Sequence, residues 1–289
     1  MCDDNTASAA AAALEHTGLS RRQFAAMGAA AALVSYSEPG NAKTRALAET
    51  TVRIDTPDGH ADAFFVFPSR GSYPGVILWP DVGGLRDAMK AMARRLASAG
   101  FAVLVPNQYY RGAVAPVLAS FSEWRTPAGQ AKLRPLIAGL TSEGTMRDAA
   151  AFVGFLDLQR RVDKRRKIGT QGYCMGGPMA VRTAAAVPGR VGAAASFHGG
   201  GLASDKPDSP HLLLARTQAS YLIAVGRNDD ARDPGEKDRF AAAATAASRP
   251  AEVEVYPADH GWCVPDTPIY DAAQADRAWG RLLALYAKL

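Results

Sequence analysis

Gly172–Pro178 reads GYCMGGP and decides the fold. It follows KIGTQGY (167–173), which has the character of a strand, and leads into MAVRTAAA, which is helix-forming. A cysteine flanked by glycines therefore stands at a sharp corner between strand and helix. This is the pattern G-x-nucleophile-x-G, in which the central residue sits in strained backbone and projects from the sheet edge. Gly172 and Gly176 suit it because neighbouring backbone must pass closely there, and Gly177 extends the small surface on the helix side. The N-terminus of the following helix would lie beneath the Cys174 sulfur and favour its thiolate.

On either side of this corner, strands and helices alternate. TVRIDT (51–56) and ADAFFVF (61–67) read as a hairpin around Pro57-Asp58-Gly59. GVILWP (75–80) and FAVLVPN (101–107) are continuous apolar runs, as strands buried on both faces would be. Leu85, Met89, Met92 and Leu96 recur at helical spacing over 85–99, and Gly100 ends that helix. Residues 145–161 and 271–289 read as further helices, and 167–173, 191–197, 221–226 and 251–257 as strands, while 108–141 reads as a loop or irregular helical region. The alternation predicts an α/β fold with a mostly parallel central sheet and helices on both faces.

A thiol needs a base, and the base needs a group to orient it. On sheets of this kind the partners follow the nucleophile, acid first and histidine last. YLIAVG is followed by Arg227-Asn228-Asp229, and AEVEVYP by Ala258-Asp259-His260-Gly261. Cys174, Asp229 and His260 thus form a candidate triad, with Asp230 and Asp233 as rival acids. Cys174 would attack an acyl carbonyl, His260 would act as base and then acid, and Asp229 would fix the imidazole. Backbone N–H groups of Met175 and Val82 would hold the oxyanion, and Gly83-Gly84 suits close approach there. Such chemistry calls for no metal and no organic cofactor.

Composition excludes other classes. The 289 residues are 48% hydrophobic, enough for a sizeable core, and the net charge is +5. The basic residues are scattered, with no stripe interleaved with aromatics, so no nucleic-acid partner is expected. The three cysteines, Cys2, Cys174 and Cys263, show no C-x-x-C spacing, which argues against a zinc site or a disulfide framework.

Residues 1–48 differ in character. Ser20-Arg21-Arg22-Gln23-Phe24 precedes the alanine-rich run 25–36, which is too short to span a bilayer permanently. This resembles a bacterial twin-arginine export signal, with small residues at Ala46 and Ala48 for cleavage. The expectation is a removable signal over 1–48, one domain over 49–289, the twin-arginine export machinery as a partner, and a periplasmic or secreted product without a permanent membrane span.

GYCMGG, the GRND turn (226–229) and DHGW (259–262) together resemble the dienelactone hydrolase family of α/β-hydrolases over nearly all of 50–289. The resemblance implies a small-molecule ester or lactone substrate and a triad of Cys174, Asp229 and His260. It places Asp81 where the family carries a thiol-activating glutamate. It offers Arg111 or Arg125 as a contact for a substrate carboxylate, and His198, where tyrosine is usual, as a further contact. Gly261 replaces a serine often found after the histidine. Because Asp81 and Gly261 depart from the pattern, a broader carboxylesterase or thioesterase remains open, as does a non-catalytic binding protein that kept the fold.

Overall fold

The computed structural model describes residues 45–289, so the export signal expected over 1–48 falls outside the described residues except for its last four positions. Eight strands form one sheet: β1 Leu47–Thr56, β2 Gly59–Pro68, β3 Gly75–Trp79, β4 Ala102–Pro106, β5 Ile168–Tyr173, β6 Val191–Phe197, β7 Ser220–Gly226 and β8 Ala251–Tyr256. Their order is β1-β2-β4-β3-β5-β6-β7-β8. The β1–β2 and β2–β4 pairs are antiparallel, and the remainder are parallel. The mostly parallel sheet expected from the alternation is present.

The continuous apolar runs are central strands with a core on each face. In β3, Ile77 and Trp79 enter one core, while Val76 and Leu78 enter the other. Helices α1 (Asp87–Ser98) and α8 (Ala272–Tyr286) cover the second of these with Met89, Ala93, Leu96, Leu282 and Tyr286. Helices α4 (Ser142–Leu158), α5 (Gly176–Ala186) and α7 (Glu236–Ala246) cover the first with Phe152, Leu156, Ala180, Ala184 and Phe240. Full burial of one such leucine or phenylalanine contributes about 1.5–3 kcal/mol. Two short helices, α2 (Phe121–Trp124) and α3 (Pro127–Ala138), and the six-residue α6 (Arg227–Arg232) complete the set used below.

Three boundaries differ from the sequence expectation. Helix α4 starts at Ser142 because the Thr141 hydroxyl accepts from Gly144 N at 3.0 Å, and it ends at Leu158 because Val162 turns into the core. The segment after β4, read as irregular, contains α2 and α3. Thr126 caps α3, accepting from Gly129 N at 3.0 Å, and Pro127 opens it. Strand β1 takes in Leu47 and Ala48, which were assigned to the signal. Ser69 N donates to the Ala46 carbonyl at 2.8 Å, and the Arg45 guanidinium donates to Ser98 O at 3.0 Å.

Candidate active site

The turn from β5 into α5 holds Cys174 at φ 54°, in the left-handed region that a side chain rarely occupies. Backbone crowding accounts for the glycines around it. A Cβ on Gly172 would lie 1.9 Å from Gly176 O, and one on Gly176 would lie 2.5 Å from Trp79 O. The start of α5 is thereby pressed against β5 and against the end of β3. That contact brings the Met175 corner next to the loop carrying Val82.

β7 and β8 deliver the other two groups. The GRND segment, expected as a turn, is the start of α6, and Asp229 lies buried in its first turn. Its Oδ2 is 2.8 Å from His260 Nδ1, and Arg232 holds the other oxygen. Asn228 Oδ1 accepts from His260 N at 2.8 Å, which fixes the loop as well as the ring. The rival acids are engaged elsewhere: Asp230 with Lys237 and Asp233 with Arg239. Burial opposes the charged imidazole of His260, but the Asp229 carboxylate and the nearby Cys174 sulfur outweigh it and raise its pKa to about 10. Cys174, Asp229 and His260 are therefore brought together at the C-terminal ends of β5, β7 and β8.

A family model described as "Dienelactone hydrolase family" matches residues 61–289. The chain belongs to the dienelactone hydrolase family. A Methylorubrum extorquens protein named "Putative carboxymethylenebutenolidase" is 27% identical over 277 residues, covering 92% of each chain. A Rhodococcus opacus protein named "Carboxymethylenebutenolidase" is 27% identical over 224 residues, covering 75% of this chain and 82% of its own length. Among solved structures, one titled "Putative Dienelactone Hydrolase" from Klebsiella pneumoniae superposes with a TM-score of 0.72 at 22% identity. That match covers 84% of this chain and 100% of the other, and it shows the α/β-hydrolase fold. The protein is thus a hydrolase of this family.

In this hydrolase the acid after β3, for which the resemblance implied a thiol-activating place, is bound by a buried arginine. Both Asp81 oxygens accept from Arg86, at 2.6 and 3.0 Å, and Oδ1 also accepts from Gly83 N at 2.8 Å. Burial pushes the Asp81 carboxyl up from its usual range, against the pull of Arg86. Arg86 reaches onward to Asp266, at 2.7 Å from each carboxylate oxygen, and Asp266 Oδ2 accepts from Phe121 N at 3.0 Å. Burial would raise Asp266, yet its contacts with Arg86 hold it below the ordinary carboxylate range. One buried guanidinium thus ties together the Val82 loop, the loop after His260 and the segment that follows β4. A Cβ on Gly83 would lie 2.7 Å from Arg86 Nη1, so a side chain there would press on the guanidinium.

The Val82 loop is held from the other side by the chain after β4. Gln108 Nε2 donates to Asp81 O at 2.8 Å, and Tyr109 OH donates to Val82 O at 2.9 Å and lies 3.2 Å from Met175 Sδ. Tyr109, Leu118 and Leu133 form a small apolar cluster against Val82 and Met175. Sequence reading missed Arg86, Gln108, Tyr109 and Asp266. The T-P start of α3 was a visible signal for part of this segment, whereas Arg86 and Asp266 are 180 residues apart and share no motif.

The remaining candidates separate. His198 is buried at φ 43°, with its ring edge-on to His260 at 4.8 Å between centroids and 5.2 Å from Trp262. Burial, with the neighbouring His260, pushes its pKa well below the usual value, so it packs as a neutral ring. Arg111 is engaged by Asp58 and Asp148 and lies over the Tyr110 ring. Arg125 is exposed at the C-terminal end of α2. Gly261 has φ 104°, which explains glycine at that place. Cys263 and Cys174 are both free thiols, and burial pushes the Cys263 thiol up. Among the described residues no His/Cys/Asp/Glu cluster could hold a metal ion, and no helix is long and apolar enough to cross a membrane.

Proposed function

We propose that the protein hydrolyses a carboxylic ester or lactone, with Cys174 as nucleophile, His260 as base and acid, and Asp229 as the group that orients His260. The observation that carries this is the 2.8 Å contact of Asp229 with His260 Nδ1, on an imidazole that has the strained Cys174 sulfur as its other neighbour. The thiolate attacks the carbonyl carbon, a C–S bond forms, and the carbonyl electrons pass to oxygen. Backbone N–H groups of Met175 and Val82 receive that oxyanion, and one such donor contributes about 3 kcal/mol. As the C–O bond breaks, the imidazolium gives its proton to the leaving oxygen and a thioester remains. Water then attacks the thioester while His260 takes a proton. The C–S bond breaks, and the acid departs from a restored thiolate–imidazolium pair.

Asp81 is committed to Arg86, so thiol activation in this reading falls to His260 alone. That favours ester hydrolysis in general over an activation step reserved for one substrate, and makes a broader carboxylesterase or thioesterase the second reading. A panel of lactones, aryl esters and acyl thioesters, assayed with wild type and Cys174→Ala, tests both. Turnover abolished in the variant supports the assignment; wild-type rates in the variant end it. Tight binding without turnover would instead identify a receptor built on the fold.

The twin-arginine signal belongs to the same proposal: the hydrolase is exported folded and acts in the periplasm or outside the cell. Replacing Arg21 and Arg22 with lysine should retain the protein in the cytoplasmic fraction. Unchanged export of that variant would reject the route.

A further inference from the structure

We infer that the cleft between α1 and α8 is a second small-molecule site, shaped for a compact aromatic molecule that carries a carbonyl or ether oxygen. It lies apart from the reacting corner, and the inference stands whether or not Cys174 is a nucleophile.

The cleft is a cavity of about 240 Å³. Its floor is the sheet face at Gln171, Tyr173 and Phe197, and its walls include Met92 from α1, Trp279 from α8 and Cys263 from the loop after β8. None of Cys174, Asp229 and His260 lines it. Ala91 on one helix and Ala275 and Ala278 on the other are too short to close the gap. Tyr173 and Phe197 stack with 5.1 Å between ring centroids and 16° between planes, so the floor is a flat aromatic surface. An apolar cavity of roughly 150 Å³ takes up benzene. This larger one accommodates a ring with a short substituent.

A chain of buried hydrogen bonds ends in the cavity with one donor unspent. Tyr286 is fully buried, and its hydroxyl donates to Gln171 Oε1 at 3.1 Å. That bond fixes the sense of the amide, because the Tyr286 proton has no other acceptor among the described residues. Gln171 Nε2 therefore donates to the Tyr173 hydroxyl, at 2.8 Å. The Tyr173 oxygen is used as an acceptor, and its own proton is bonded to nothing among the described residues. Tyr173 is only 5% exposed. Burial pushes its phenol up, the Cys263 sulfur pushes it further, and Arg95 pulls it back. Cys263 and Arg95 both belong to the cavity wall, so the phenol end of the ring faces the cavity. Arg95 itself is engaged: it donates to Asp276 at 2.7 Å and lies 4.4 Å from the Trp279 ring centre. A buried donor without an acceptor is costly, and an oxygen on an aromatic ligand removes that cost.

The test titrates the full chain, ¹³C-labelled at its methionine methyls, with acetophenone and with cumene, which has the same shape without the oxygen. Acetophenone should shift the Met92 methyl saturably and show cross-relaxation to it; Met175 at the reacting corner serves as the control. Tyr173→Phe should weaken acetophenone by about 3–10-fold, the loss of one hydrogen bond, and leave cumene within twofold of its affinity for the unaltered chain. Absence of a saturable Met92 shift up to the solubility limit of acetophenone, or cross-relaxation confined to Met175, overturns the site. An equal effect of Tyr173→Phe on the two ligands, or none on acetophenone, overturns the role given to the phenol and with it the ligand class. None of these outcomes touches the hydrolase reading.

Discussion

His260 has an acidic neighbour on each side, and that governs how it titrates. Asp229 and the Cys174 sulfur raise its pKa to about 10, from an ordinary value of 6.5. A raised pKa means that the folded state holds the proton more tightly than the unfolded chain. The stability this lends is complete below pH 6.5 and fades as pH rises through about 10. NMR titration of the imidazole should find its transition near pH 10, with Asp229→Asn and Cys174→Ala each moving it down; a transition near 6.5 in wild type would contradict this. Turnover should fall along the same alkaline limb, as the acid that protonates the leaving group is lost. Asp229→Asn should keep the fold and lower kcat by about 10⁴, the scale set by the equivalent change in a serine triad. Arg86→Gln leaves Asp81 and Asp266 without their shared charge and should destabilise by about 3–5 kcal/mol. By loosening the Val82 loop it should also lower kcat by about 10². Arg86→Lys should not rescue it, because an ammonium has three donors where five are used. Melting temperature and kcat measured together check both effects.

The strand-to-helix corner was legible because its chemistry is local: glycines, a thiol and flanking elements sit within a dozen residues, and the close approaches at Gly172 and Gly176 follow from that geometry. The loops after β7 and β8 were legible by position, each just past a strand, although the GRND turn proved to be the first turn of α6. The segment after β4 was not, because α2 and α3 pack on only a few apolar residues and carry little periodic signal. The setting of Asp81 was hidden for another reason: the sequence gives its position after β3 but not the buried arginine that claims it. Gly261 belongs to the loop after β8. Its φ of 104° and an Ile269 side chain 3.2 Å from a would-be Cβ make Gly261→Ser unfavourable. That change should cost about 1–3 kcal/mol, read as a lower denaturation midpoint with an unchanged m-value.

Across the whole molecule, the two cores on either side of the sheet were legible as continuous apolar runs, since a parallel strand buried on both faces has no polar alternation. The first pairs of β1 begin at Leu47, ahead of Glu49. A chain beginning at Arg45 should match the full chain in melting temperature and rate. One beginning at Glu49 loses the Arg45–Ser98 contact and the first pairs of β1, and should melt several degrees lower. Equal melting of the two truncations would show that those pairs contribute nothing. The central claim is covalent: the acyl group of the substrate resides on one sulfur during turnover. The direct measurement is rapid acid quenching during p-nitrophenyl butyrate turnover, followed by peptide mass spectrometry. A butyryl thioester on the peptide containing Cys174 is the expected result. Steady turnover with that peptide unmodified, or the acyl group on another residue, would contradict the account.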